Sequence, residues 1–265
     1  MSRLSKRFES LKAKGEKALI AYVTAGDPSR EGSATAILAI AKAGADAIEI
    51  GVPFSDPLAD GPSIQASSQR ALEAGMTTGK VLEIVREVRA ENSEVPLILM
   101  TYFNPILHYG LDKWAQDAKA AGIDAHIVTD LTPEEADEWK SCSEKYGLDT
   151  VFLLAPTSTL SRIEVVSKLS TGFVYCVSRT GVTGARQDVP MELTEVVDRI
   201  QSRTLLPVCV GFGISLPEHV KKICSFADGA VVGSALVDLL YKHRASEDLL
   251  LIIAQFISEL KAATK

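Results

Sequence analysis

Residues 49–65 read EIGVPFSDPLADGPSIQ. The short, mostly apolar run at 45–50 carries Glu49 and has the length of a strand. Gly51 and three prolines, Pro53, Pro57 and Pro62, then break the chain into a loop that presents Asp56 and Asp60. A helical pattern begins near residue 63. Aliphatic neighbours disfavour an ionised acid, so an unpaired Glu49 would have a raised pKa and trade protons near neutrality. The plainer alternative is a strand-end Glu in a salt bridge beside two solvated loop aspartates. Spacing alone leaves both open.

Working outward, the same unit recurs along the whole chain. Apolar strand patterns at 18–23, 45–50, 96–100, 124–128, 149–154, 172–177, 206–210 and 227–232 alternate with helical periodicity. The helical stretches are 31–43, about 63–74 and 79–90, 112–121, 133–146, 160–168, from about 191, 216–225, one after 232, and a last one from 246. Thr132-Pro133-Glu134-Glu135 is a helix-start signal, and TYFNPILHYG at 101–110 reads as a loop. Leu4, Phe8 and Leu11 form one stripe of a short helix ahead of the first strand. The final helix carries a broad apolar stripe that includes Leu249, Leu250, Ile253, Ile257 and Leu260. Eight strand–helix units with short connections and right-handed crossovers favour a closed (β/α)8 TIM barrel with an extra N-terminal helix over an open sheet. No linker or composition shift divides the chain, so residues 1–265 are expected to form one domain.

Composition narrows the function. Hydrophobic residues make up 46% and charged residues 23%, as in an ordinary globular enzyme. The net charge is −6 with basic residues scattered, which argues against nucleic acid as a partner. The longest apolar run, 249–254, is far too short to span a membrane, and the charged N-terminus has no apolar core of a signal peptide. Cys142, Cys176, Cys209 and Cys224 show no CxxC pairing and read as reduced thiols of a cytoplasmic protein. His108, His126, His219 and His243 are dispersed without ligand spacing, so no metal centre is expected.

In such a barrel the chemistry lies at the C-terminal strand ends. Strands seven and eight end VGFGIS and VVGSALV, each running through glycine toward a helix start. Gly211, Gly213 and Gly233 would let a ligand approach the backbone, and Ser234 would open a helix whose free N–H groups attract an anion. Both motifs together indicate a phosphate site, which Gly184 in the long sixth loop would close over. No strand end offers a lysine for a Schiff base. Glu49, Asp60 and Tyr175 among apolar neighbours suit general acid–base work on a phosphorylated, partly apolar substrate without a cofactor. Asp56 and Asp130 rank lower, as loop-capping residues.

Five separated segments carry a family resemblance: VTAGDP at 23–28, EIGVPFSDPLADGP at 49–62, VSRTGVTGAR at 177–186, VGFGIS at 210–215 and DGAVVGSALV at 228–237. Over nearly its whole length the sequence resembles the alpha subunit of tryptophan synthase. The resemblance implies cleavage of indole-3-glycerol phosphate to indole and glyceraldehyde 3-phosphate, no cofactor, and a beta-subunit partner in an alpha2beta2 complex. It places Glu49 on the general acid–base position and Asp60 on the carboxylate facing the indole N–H. Tyr22, Ile64, Met100, Ile127, Tyr175 and Phe212 fall on the indole pocket, with Gly184, Gly213, Gly233 and Ser234 near the phosphate. Thr183 falls where the family's closing loop meets the catalytic aspartate, and loop 178–190 is expected to act as a lid.

Two features depart from the family pattern. VTDLT at 128–132 stands where the family often has VPDLP, which is expected to loosen that loop. His126 falls on the helix-facing side of its strand by alternation from Ile127, so a structural, hydrogen-bonded role is expected. The competing functions are an allosteric subunit that mainly activates its beta partner, a stand-alone indole-releasing lyase, and a phosphate-binding barrel isomerase or synthase. Intact Glu49 and Asp60 argue against the first, and the lack of a strand-end lysine against the last.

Overall fold

The computed structural model describes residues 2–177, 191–211 and 213–265. The first helix, α1 (Arg3–Lys14), precedes β1 (Ala18–Thr24), α2 (Arg30–Lys42), β2 (Ala47–Gly51), α3 (Pro62–Glu73) and α4 (Thr78–Glu91). Then follow β3 (Leu97–Thr101), α5 (Phe103–Tyr109), α6 (Leu111–Ala121), β4 (Ala125–Val128), α7 (Asp137–Lys145), β5 (Asp149–Val151) and β6 (Leu153–Leu154). The chain finishes with α8 (Leu160–Leu169), β7 (Val174–Val177), α9 (Met191–Gln201), β8 (Val208–Gly211), α10 (Pro217–Cys224), β9 (Gly229–Val232), α11 (Ser234–Lys242) and α12 (Leu249–Ala262).

All the strand pairs are parallel, in the order β5-β4-β3-β2-β1-β9-β8-β7-β6. The two segments at the ends of that order are consecutive in the chain, separated by Phe152 alone. They are one stave split in two, so the sheet closes on itself as a (β/α)8 barrel. Alternation then sorts the side chains. Ala18, Ile20, Ala47, Ile98, Ala125, Ile127, Val151, Tyr175, Cys209 and Val231 fill the interior, while Leu19, Ile48, Ile50, Leu97, Leu99 and Val210 pack beneath the helices.

The N-terminal helix plugs the base. Leu4, Phe8 and Leu11 are buried against the interior cluster, and the Phe8 and Phe173 rings lie 5.8 Å apart. Ser2 caps its start and Gly15, at φ 68°, ends it in the left-handed conformation that glycine adopts without strain.

The same base carries a repeated clamp. Asp46, Asp124 and Asp228 each directly precede a strand, and each holds one residue of the neighbouring strand twice. Their backbone N–H groups donate to the carbonyls of Leu19, Leu97 and Val208, and their carboxylates accept from the N–H groups of those same residues at 2.8, 3.0 and 3.0 Å. Cations close each clamp: Lys261 of α12 on Asp46, Arg3 and Arg89 on Asp124, and Lys17 on Asp228.

Four local expectations change. TYFNPILHYG is not a loop throughout: it contains α5, whose first N–H, from Phe103, donates to Asp130 Oδ1 at 2.7 Å. That cap comes from the loop after β4, a contact local sequence does not contain. The 133–146 helix is instead a 3-10 turn, Pro133–Glu135, followed by α7, because the Thr132 hydroxyl turns to the Glu135 carboxylate rather than capping backbone. Leu250 on α12 faces solvent, so the buried stripe narrows to Ile253, Ile257 and Leu260. In VTDLT, the Thr129 N–H donates to the Thr101 carbonyl at 2.9 Å, a ladder bond that a proline has no hydrogen to make. Thr129 therefore ties this loop to β3.

His126 behaves as alternation requires. It is fully buried outside the barrel, where Trp114 Nε1 donates to its Nε2 at 3.1 Å and Trp139 packs edge-on at 5.0 Å. Burial pushes its pKa down to about 3.

The clamps make a stability prediction. Asp124→Ala strips both arginines and the Leu97 N–H of a partner that is 2% exposed. It should lower unfolding free energy by about 3 kcal/mol, read from urea denaturation. An unchanged midpoint would show that the clamp carries no net stability.

Candidate active site at the C-terminal mouth of the barrel

Alternation along β2 turns Ala47, Glu49 and Gly51 inward, and Glu49 is 1% exposed. Among the described residues neither of its carboxyl oxygens meets a hydrogen-bond partner. Burial alone therefore acts on it and pushes its pKa up to about 8. At neutral pH it is a protonated acid, one step from being a base.

Two tyrosines flank it. Tyr22 on β1 stands opposite Glu49 in the strand register, and Tyr175 projects inward from β7. A Cβ on Gly51 would overlap the Tyr22 hydroxyl, and one on Gly211 would overlap the Tyr175 ring. Gly211 thus makes room for a side chain rather than for ligand against backbone, which corrects the sequence reading. Burial, then the nearby Glu49 charge, raises the Tyr175 pKa well above its usual range, so it stays neutral.

Asp60 arrives from the loop after β2, held by Tyr102 at the C-terminal end of β3. Tyr102 Oη donates to Asp60 Oδ2 at 3.1 Å and accepts from the Ala59 N–H at 2.9 Å, while its ring packs on Phe54. Burial raises the Asp60 pKa to about 6, and the Tyr102 hydrogen bond opposes the rise. Asp60 is therefore largely ionised at neutrality while Glu49 is not. Two carboxyl groups in one mouth with separated pKa values divide naturally into acid and charge stabiliser.

Met100 of β3 and Ile127 of β4 are register partners on the interior face, and Ile64 lies in the first turn of α3 beside Gly233. Gly233 caps α11 at Ser234. Its carbonyl takes the N–H groups of Leu236 and Val237, and among the described residues none accepts from the N–H groups of Ser234 and Ala235. Gly213 has φ 33°, a conformation side chains resist. Of the residues singled out from sequence, Thr183, Gly184 and Phe212 lie outside the described residues. Asp56 hydrogen-bonds to Ser55 on an exposed loop, and Asp130 caps α5, so neither joins the site.

Sequence reading missed Tyr102 and the buried Thr24 and Ser67. Tyr102 follows a strand directly, a position from which its place at the mouth was readable. Thr24 and Ser67 carry no such signal, since their contact joins β1 to α3 across 43 residues. A second cavity, bounded by Phe8, Leu11, Lys12, Gly172 and Pro207, lies at the opposite end under α1, away from both carboxyl groups.

Fold and site define a parallel (β/α)8 barrel with two buried carboxyl groups of separated pKa and an open helix start at its C-terminal mouth. The family model of the tryptophan synthase alpha chain matches residues 8–265. The tryptophan synthase alpha chain of Solibacter usitatus is 51% identical over 261 residues, 98% of this chain and 97% of that protein. That of Citrifermentans bemidjiense is 52% identical over 261 residues, again 98% and 97%. The crystal structure of tryptophan synthase subunit alpha from Legionella pneumophila superposes with a TM-score of 0.92 at 38% identity, covering 100% of this chain and 98% of that one. The chain belongs to the tryptophan synthase alpha chain family.

Burial of Glu49 has a thermodynamic signature. The folded state keeps this proton, whereas the unfolded chain releases it above about 4.5, so stability falls as pH rises from about 4.5 to about 8. Glu49→Gln removes that loss. The variant should gain on the order of 3.5 kcal/mol on the wild type between pH 5 and pH 8, measured by denaturant titration at both pH values. A difference independent of pH would mean Glu49 is not held neutral.

Proposed function

We propose that Glu49 and Asp60 carry out the lyase reaction of this family, cleavage of indole-3-glycerol phosphate to indole and glyceraldehyde 3-phosphate in tryptophan biosynthesis. The observation that carries this assignment is a buried Glu49, without a hydrogen-bond partner among the described residues and with a pKa near 8, in one mouth with an Asp60 whose pKa is near 6.

The chemistry follows from those two protonation states. A retro-aldol cleavage needs an electron sink, and the indole ring becomes one when C3 is protonated. Neutral Glu49 delivers that proton, giving a cationic indoleninium. The newly formed Glu49 carboxylate then removes the proton from the side-chain C3′ hydroxyl. As the C3′ carbonyl forms, the C3–C3′ bond breaks, its electron pair restores the aromatic ring, and Glu49 is again protonated. Ionised Asp60 beside the ring N–H stabilises the positive charge that exists only after C3 is protonated. Tyr102 orients that carboxylate.

Met100, Ile127, Tyr175, Tyr22 and Ile64 would enclose the indole, and the free amides opening α11 at Ser234, with Gly213 and Gly233, would hold the phosphate. Indole is apolar and leaves readily, which suits a subunit that works with a beta subunit. We assign the assembly as alpha2beta2 and the setting as cytoplasmic, supported by four free cysteines. Among the described residues no helix is long and apolar enough to cross a membrane.

Indole release should follow a bell-shaped pH profile in kcat/KM, falling above about 8 as Glu49 loses its proton and below about 6 as Asp60 gains one. Glu49→Gln should abolish release at every pH, and a flat profile would remove the pair from these roles. Separately, Asp60→Asn should lower kcat about a hundredfold, roughly 3 kcal/mol, with little change in KM. A variant with wild-type kcat and a raised KM would make Asp60 a binding group only.

A further inference from the structure

Sheet order sets β1 between β9 and β2. In the reading above, the phosphate sits at the start of α11, directly after β9, and the reacting carbon meets Glu49 on β2. The atoms that join them must therefore cross β1. In indole-3-glycerol phosphate those atoms are C1′, C2′ and C3′, and the last two each bear a hydroxyl. Glu49 deals with the C3′ hydroxyl, which leaves the C2′ hydroxyl as a donor in need of an acceptor.

The inward side chains of β1 are Ala18, Ile20, Tyr22 and Thr24, and only the last two are polar. Tyr22 spans the crossing. Its Cβ end lies beside Gly233, 3.6 Å from where a Cβ would stand there, and its hydroxyl reaches Gly51 two residues beyond Glu49.

The direction of its hydrogen bond is determined by a chain of hydroxyls. Ser67 Oγ lies 2.8 Å from the Ile64 carbonyl, which only accepts, so the single Ser67 proton goes there. The 2.6 Å contact between Ser67 Oγ and Thr24 Oγ1 must then use the proton of Thr24. Thr24 Oγ1, 3.3 Å from Tyr22 Oη, is left to accept from the phenol. Burial, and after it Asp60, raises the Tyr22 pKa far beyond the working range, so the phenol never loses that proton. Tyr22 thus offers the pocket lone pairs and no hydrogen.

We infer that Tyr22 is a positioning residue whose phenolic oxygen accepts a hydrogen bond from the substrate C2′ hydroxyl, held in the acceptor role by Thr24 and Ser67. The bond makes the site selective for a hydroxylated linker and fixes C3′ over Glu49. This rests on the lyase reading given under Proposed function.

The test compares indole-3-glycerol phosphate with its 2′-deoxy analogue, which keeps the C3′ hydroxyl and is still cleavable. The full chain is assayed for indole release. The wild type should favour the natural substrate about fivefold in kcat/KM, the worth of one ordinary hydrogen bond. Tyr22→Phe should raise KM for the natural substrate about fivefold, leave kcat within twofold, and leave the deoxy analogue unaffected, so that the preference disappears. Thr24→Val removes the partner that holds the phenol in its acceptor orientation and should narrow the preference, while Thr24→Ser keeps it. A Tyr22→Phe enzyme that keeps the preference, or loses equally on both substrates, overturns the inference. Failure of the wild type to release indole from either compound would instead overturn the lyase reading.

Discussion

A carboxyl group buried inside a β-barrel with no hydrogen-bond partner among the described residues is the constraint on which the site depends. Desolvation of an unpaired carboxylate costs several kcal/mol, so Glu49 keeps its proton to about pH 8. Any arginine, lysine or backbone N–H placed within reach would pull that pKa back down and leave a spectator anion. The neighbours of Glu49 are accordingly neutral and large. Tyr22 and Tyr175 close over it, each lying across a strand-end glycine whose missing Cβ is their space.

The two ends of the barrel use aspartate in opposite ways. At the base, Asp46, Asp124 and Asp228 are saturated by backbone N–H groups and cations, and they tie α1, α12 and the strands together. At the mouth, among the described residues, Asp60 has one side-chain donor, Tyr102, and Glu49 has none. Satisfied polar groups stabilise, whereas unsatisfied ones remain available to a substrate. The separation lets the fold draw its stability far from the carboxyl groups it leaves under-partnered at the mouth.

Hydrogen-bond direction adds a level that residue identity does not show. A tyrosine in a pocket can donate or accept, and the choice made by Tyr22 is dictated two hydroxyls away, where Ser67 meets a carbonyl on α3. The same reasoning places the His126 proton. Since Trp114 donates to Nε2, a neutral His126 carries its hydrogen on Nδ1, inside an aromatic cluster on the outer face of β4. It is packing, not catalysis.

Much of this protein was legible from residue order alone. Periods of two and 3.6 recurring eight times specify a parallel barrel, because a strand followed by an amphipathic helix has few ways to bury both apolar faces. Glu49, at an inward position next to a proline-broken loop, was identifiable because a lone acid in an aliphatic strand is rare. The glycine after β9 likewise announced the start of α11. Tertiary structure alone decided what each group touches. The α5 helix exists because Asp130 caps it from another loop, Asp60 is oriented by Tyr102 from another strand, and Gly211 is spared a side chain for the ring of Tyr175. These are contacts between residues tens of positions apart. Local propensity and periodicity report only which way a side chain faces; whether it finds a partner there, and so whether it is inert or reactive, is set by what the closed barrel brings against it.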